Sequence, residues 1–332
     1  MPFRAIAGHR PLLELLSRAT ARGTLPPSVI FAGPEGVGKR LTALALAQAL
    51  NCEHPIEAED SRDACGICAS CKRIARGVHA DILIIEPGDS GSIKVDQVRE
   101  AIDRSMYRPF EGRRRVVIVD EADALMSEAQ NALLKTLEEP PSASVFVLIT
   151  NRPDVLLPTV RSRCQQLRFG PLTPGEVAAV LIRDHELDGA DAHAAAAASD
   201  GSVGRALAVS ADDANEARDA AARLLQAAAS SQDPRRRLDG AKVLTGGSGD
   251  RDELTRRLLA LSSLIRDMGL LLSRADDRTL ANADLKPQLQ ALIRSFDGHR
   301  TIRAFETVDR ALSALDRNAS PKIVADWLAL TI

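Results

Sequence analysis

The chain has 332 residues, room for two or three domains, and its 45% apolar and 27% charged content is that of an ordinary soluble protein. A net charge of −2 gives no global attraction to nucleic acid, so any DNA contact has to be a local patch, and 3% aromatics argues against base-stacking platforms. No uncharged apolar run approaches membrane-spanning length. Met1-Pro2-Phe3-Arg4 leads into an amphipathic helix around residues 11–22 rather than a signal peptide, so a cytoplasmic location without membrane contact is expected.

Val29-Ile30-Phe31-Ala32 reads as a buried strand, and Leu41, Ala45 and Leu46 then recur at helical spacing. Between them lies Gly33-Pro34-Glu35-Gly36-Val37-Gly38-Lys39-Arg40, a phosphate-binding loop complete through Lys39. Glycines 33, 36 and 38 let the backbone curl so that N–H groups point inward. The helix start adds partial positive charge, and Lys39 reaches the terminal phosphates. A Ser or Thr normally follows the lysine and ligates Mg²⁺. Arg40 stands there instead, and a guanidinium has donors but no acceptor. Thr42 is no substitute, because two residues along a helix turns the side chain away. The loop therefore predicts a cradle for ATP or ADP, with magnesium disfavoured and little hydrolysis at this site.

Four of the five cysteines cluster as Cys52, Cys65, Cys68 and Cys71, in a C-x12-C-x2-C-x2-C pattern. In a cytosolic chain this spacing favours a metal over disulfides. Four thiolates with no open position predict a structural Zn²⁺ site, with Cys52 contributed from the end of the preceding helix. Cys164 stands apart and is expected to be buried and inert.

Strands are predicted at residues 82–85, 116–119, 145–149 and 165–169. Helical stripes lie between them at Val95, Val98, Ile102 and Met106, and at Ala129, Leu133 and Leu137. Continuous apolar strands alternating with helices predict a parallel sheet covered on both faces, with ligands at the C-terminal strand ends. Gly33, Asp120 and Asn151 each follow a strand and are expected to face one crevice. Asp120 and Glu121 form the acidic strand end of the nucleotide site. The run Arg113-Arg114-Arg115 is expected to be a solvated face. After Gly170-Pro171 no strand is evident. Thr173-Pro174-Gly175-Glu176 reads as a helix start, two short helices follow, and Gly201-Ser202-Val203-Gly204-Arg205 opens a third. Beyond residue 212 the chain is helical, with breaks at Asp233-Pro234, Gly246-Gly247-Ser248-Gly249 and Asn318-Ala319-Ser320-Pro321.

The P-loop helix running into a cysteine module, Asp120-Glu121-Ala122-Asp123, Asn131 through Pro140, Ile149-Thr150-Asn151 and Thr159-Val160-Arg161-Ser162-Arg163-Cys164 together match a family. The chain resembles bacterial clamp-loader subunits of the AAA+ class from DNA polymerase III, the δ′ type in particular. The resemblance implies an α/β P-loop domain with a parallel sheet over residues 1–171, with its zinc module at 52–71. A small helical lid follows at 172–211, and an all-α collar at 212–332. It implies a hetero-pentameric ring of clamp-loader subunits that opens a sliding clamp and places it on primed DNA. Arg163 then enters a neighbour's ATP site as a trans-acting finger, Asn151 orients the attacking water, and Arg205 is a second sensor on the lid. Two other readings stay open: an ATP-hydrolysing γ/τ-type subunit, and a stand-alone P-loop ATPase or kinase.

Overall fold

Uninterrupted runs of aliphatic and aromatic residues can bury both faces of a strand, and four such runs, with a more polar strand at one edge, build one parallel sheet. The computed structural model describes residues 1–88, 90–208, 211–230, 233–245, 250–275, 280–317 and 319–332, in two units, Met1–Leu172 and Thr173–Ile332. The first unit runs α1 (Arg10–Arg22), β1 (Ser28–Ala32), α2 (Lys39–Asn51), β2 (Ile56–Ala58), β3 (Ser61–Asp63), α3 (Ala69–Ala75) and β4 (Ile82–Ile85). It continues with α4 (Val95–Ser105), β5 (Arg115–Val119), α5 (Ser127–Glu138), β6 (Ser144–Thr150), α6 (Pro158–Arg161) and β7 (Gln165–Arg168).

The sheet order is β4-β5-β6-β1-β7, so the strand before the phosphate loop lies inside the sheet, between β6 and β7. Alternate residues feed two cores. Val29, Phe31, Val116, Ile118, Val145 and Val147 pack with α1 and α2 on one face. Ile30, Val117, Val119, Phe146 and Leu148 pack with α4 and α5 on the other. Helices on both faces make an α/β layered domain. β7 is an edge strand, which explains its more polar sequence and partial exposure. The short antiparallel pair β2–β3 lies outside the sheet, within the cysteine segment, and the sequence patterns do not predict it.

In the second unit no strand occurs among the described residues. α7 (Pro174–His185) begins as predicted. Thr173 Oγ1 accepts the Glu176 N–H at 3.3 Å while the Glu176 carboxylate accepts the Thr173 N–H at 2.9 Å. α8 (Gly189–Ala198), which holds five consecutive alanines at residues 194–198, and α9 (Val203–Ala208) follow. Then come α10 (Ala211–Ser230), α11 (Pro234–Thr245), α12 (Arg251–Leu272), α13 (Lys286–Leu292), α14 (Gly298–Asp316) and α15 (Pro321–Thr331). Leu224, Leu258, Leu261, Phe296, Val308 and Leu328 form their common core. Pro234 does open α11 and Pro321 opens α15, whereas the expected break at residues 246–249 and the position of Asn318 lie outside the described residues. No helix among the described residues is long and apolar enough to cross a membrane.

Candidate nucleotide site and metal centre

The phosphate loop joins the end of β1 to the start of α2. Gly33 donates its N–H to the Thr150 carbonyl at 3.2 Å, which ties the loop to the end of β6. A Cβ on Gly33 would lie 2.2 Å from the Phe169 carbonyl oxygen, so only glycine fits this approach. Gly38, at φ 99°, is the left-handed residue that turns the loop into α2. The Val37 carbonyl lies 2.9 Å from His9 Nε2, and the His9 ring packs edge-on against Phe169. His9 therefore props the loop from the start of α1. It lies about thirty residues from the loop in sequence, with no motif of its own to mark it.

Lys39 is buried, and its Nζ donates to the Gly33 carbonyl and to Asn151 Oδ1, each at 2.7 Å, and to the Pro34 carbonyl. Burial is the main cause that brings its pKa down to about 8, opposed by the charges of Glu35, Asp120 and Asp123. An ammonium held chiefly by carbonyl dipoles is a ready partner for an arriving phosphate. Lys39 and Asn151 thus meet in the crevice beside Gly33.

Arg40 closes the other side. Its Nη1 is 2.9 Å from Asp120 Oδ2 and also contacts Glu86, which follows β4. Glu121, at φ 51°, has its carboxyl pKa raised by partial burial and by the charges of Asp120, Asp123, Glu35 and Glu86. Asp123 accepts from Thr150 Oγ1 at 3.0 Å and pairs with Arg152 at 3.1 Å. Thr42 Oγ1 donates to the Gly38 carbonyl at 3.0 Å, as its place in the first turn of α2 allows. The donor set does not fit Mg²⁺: the hydroxyl after the lysine is missing, and the acid that would share the metal already holds a guanidinium.

Arg163 lies between α6 and the edge strand β7. Its Nη2 and Nε pair with Glu138 Oε2 at 2.9 and 3.1 Å, and its Nη1 donates to the Thr159 carbonyl at 3.1 Å. Its side chain remains 31% exposed, in line with an edge position. Cys164 is only half-buried, and burial pushes its thiol up to about 12. Arg205 lies on α9 of the second unit, where it lines a cavity of about 340 Å³ with Asp252 and Arg256.

The solvated face expected at Arg113-Arg114-Arg115 needs correction at Arg115. It is buried at the start of β5, pairs with the fully buried Asp81 at 2.9 Å, and donates to the carbonyls of Arg104, Tyr107 and Arg108. Asp81 also accepts the N–H groups of Phe110, Glu111 and Gly112. Asn51 Oδ1 accepts those of Arg113 and Arg114.

Cys52 caps the C-terminus of α2, Cys65 and Cys68 lie on the turn before α3, and Cys71 lies in its first turn. The four Sγ atoms lie within 4.8 Å of one another, and Cys52 and Cys68 are 3.9 Å apart. A tetrahedral ion with metal–sulfur bonds of about 2.3 Å needs sulfurs about 3.8 Å apart, so the four residues can hold one metal ion. The Cys65 N–H points to the Cys52 sulfur, the Cys68 N–H to Cys65, and the Cys71 N–H to Cys68. Burial alone would raise the Cys65 thiol, but hydrogen bonds from the N–H groups of Ile67 and Cys68 bring it down to about 7. Burial raises Cys52 and Cys71. The knot is tied to the unit by Asp63, which accepts the N–H groups of Phe3 and Arg4. Gln48 adds a bond to the Cys71 carbonyl.

A family described as "DNA polymerase III, delta subunit" matches residues 8–173, half of the chain. The chain belongs to this family. It is 39% identical over 153 residues to the delta' subunit of Pseudomonas aeruginosa, a match covering 46% of this chain and 45% of that protein. It is 37% identical over 187 residues to the gamma/tau subunit of Mycobacterium tuberculosis, covering 56% of this chain and 32% of that protein. The match thus spans a third to a half of these relatives. A solved gamma subunit-related protein of Thermotoga maritima aligns over 95% of this chain and 96% of its own, at 20% identity and a TM-score of 0.40.

Proposed function

We propose that this chain is the δ′-type subunit of a bacterial replicative clamp loader. It works in a hetero-pentameric ring that opens a sliding clamp and places it on primed DNA, and its own nucleotide site is catalytically passive. The observation that carries this reading is Arg40, which sits where a magnesium-binding hydroxyl belongs and pairs with Asp120. Residues 33–40 remain a cradle for ADP or ATP, Asn151 is steadied by Lys39, and Arg205 acts as a sensor on a lid of residues 172–211. The helices of residues 212–332 form the collar, and the four cysteines hold structural zinc. A γ/τ-type ATPase is the second reading, favoured by the mycobacterial relative and disfavoured by Arg40.

The catalytic contribution is then Arg163, offered to the ATP site of a neighbouring subunit. A guanidinium supplies fixed positive charge against the γ-phosphate as charge develops there. Its pairing with Glu138 is half-exposed, so exchanging that carboxylate for a phosphate sacrifices at most about 1 kcal/mol. In a reconstituted ring whose single working ATP site adjoins this chain, Arg163→Ala is expected to leave assembly intact. Single-turnover hydrolysis should slow by about 10³-fold or more. Arg163→Lys should rescue poorly, because a point charge lacks the planar fork. Normal turnover and clamp loading with Arg163→Ala would show that Arg163 is a surface residue.

A further inference from the structure

The carboxylates of the nucleotide crevice are bridged by a cation that belongs to the chain itself. Glu86 and Asp120 follow adjacent parallel strands, β4 and β5, and both reach one nitrogen of Arg40, which projects from the first turn of α2. The other guanidinium nitrogens of Arg40 have no hydrogen-bond partner among the described residues, and its side chain is 51% exposed. One edge of the fork is therefore spent on carboxylates and the rest remains available to phosphate oxygens. Lys39, the preceding residue, already points back into the loop.

We infer that this loop binds a nucleoside diphosphate without a divalent metal, with Arg40 as the tethered cation that bridges Asp120 and Glu86 to the terminal phosphate. The inference rests on the reading of this site as catalytically passive and adds its ligand and its metal independence. Arg40 brings one positive charge where Mg²⁺ brings two. A third phosphate would add negative charge beside Glu121, whose carboxyl already feels the charges of Asp120, Asp123, Glu35 and Glu86. The diphosphate is the better match, since its charge is met by Lys39, Arg40, the loop N–H groups and the start of α2.

The test is calorimetric titration of the full chain with ADP and with ATP, once in excess EDTA and once in millimolar magnesium. ADP is expected to bind with the same affinity in both buffers, and more tightly than ATP in EDTA. Arg40→Thr should weaken ADP binding in EDTA by about tenfold or more, and magnesium should recover it, because the new hydroxyl can ligate the metal. Lys39→Ala should abolish binding in both buffers. ADP binding by the unaltered chain only in magnesium, no ADP binding in either buffer, or tighter ATP than ADP in EDTA overturns the inference. Size-exclusion of the same preparations mixed with the other clamp-loader subunits separates the two claims. Normal assembly with failed metal-free binding removes only this inference, whereas failure to assemble removes the functional reading beneath it.

Discussion

Asp81 shows how a single charge can be kept inside this domain. Burial alone would push its carboxyl pKa up. The N–H groups of Glu111, Phe110 and Gly112, with the Arg115 guanidinium, outweigh that and hold it at about 2. An unfolded aspartate titrates near about 3.9, so the group contributes about 2 kcal/mol to folding. Because the folded value is the lower one, the contribution is complete above about pH 4 and is lost as the pH falls toward about 2. Asp81→Asn strands the Arg115 charge and is expected to cost about 3–5 kcal/mol at neutral pH. The gap should narrow as acid neutralises Asp81 in the unaltered chain. Urea unfolding followed by circular dichroism over a pH series measures both effects. Equal stability at pH 7, or a gap that does not narrow in acid, would refute this account of the pair.

At the scale of elements, the cysteine knot organises the β2–β3 hairpin, whose residues are all exposed or half-buried, and ties it to α3, whose Ile74 is buried in the sheet core. Purified protein is expected to carry one zinc per chain. Cys65→Ser should loosen residues 52–75 while the parallel sheet keeps its protection from hydrogen exchange, since closed zinc sites contribute local folding energy. Emission spectrometry finding iron, or four titratable thiols and no metal, would sink the zinc assignment. The same elements mark what the sequence makes legible. Strands such as Val116–Val119 announce themselves through unbroken apolar runs, and the helices between them through their stripes. The hairpin does not: Ile56 is 52% exposed, and nothing in Ile56-Glu57-Ala58 or Ser61-Arg62-Asp63 alternates toward a core. Its position depends on distant ties, Ser17 to Arg62 and Asp63 to Phe3. Arg115 was equally opaque, because it differs from Arg113 and Arg114 only in meeting Asp81, 34 residues earlier. In the nucleotide site the loop, Asp120 and Asn151 were readable from motif and strand order. Glu86 and His9 were not, since a lone residue brought in by the fold leaves no spacing to read.

For the molecule as a whole, the two units divide the work of the proposed subunit: Met1–Leu172 carries the loop, the cysteine knot and Arg163, and Thr173–Ile332 carries the helices assigned to the collar. A chain cut back to Met1–Leu172 is therefore expected to keep its metal, yet to elute apart from the other clamp-loader subunits on size-exclusion chromatography, where the full chain co-elutes. Co-elution of the shortened chain would move the assembly surface to the first unit. Within that unit, α2 starts at Lys39, beside Gly38 of the loop, and ends against Cys52 of the knot. These thirteen residues set a distance of about 20 Å between the glycine loop and the four-cysteine cluster. Deleting any one of them would swing Cys52 by about 100° around the helix axis and draw it in by about 1.5 Å, away from its three partner sulfurs. An insertion or deletion in this helix is thus expected to break the cysteine cluster where one in a loop would not, so the interval between the lysine and the first cysteine is fixed by the geometry of both ends.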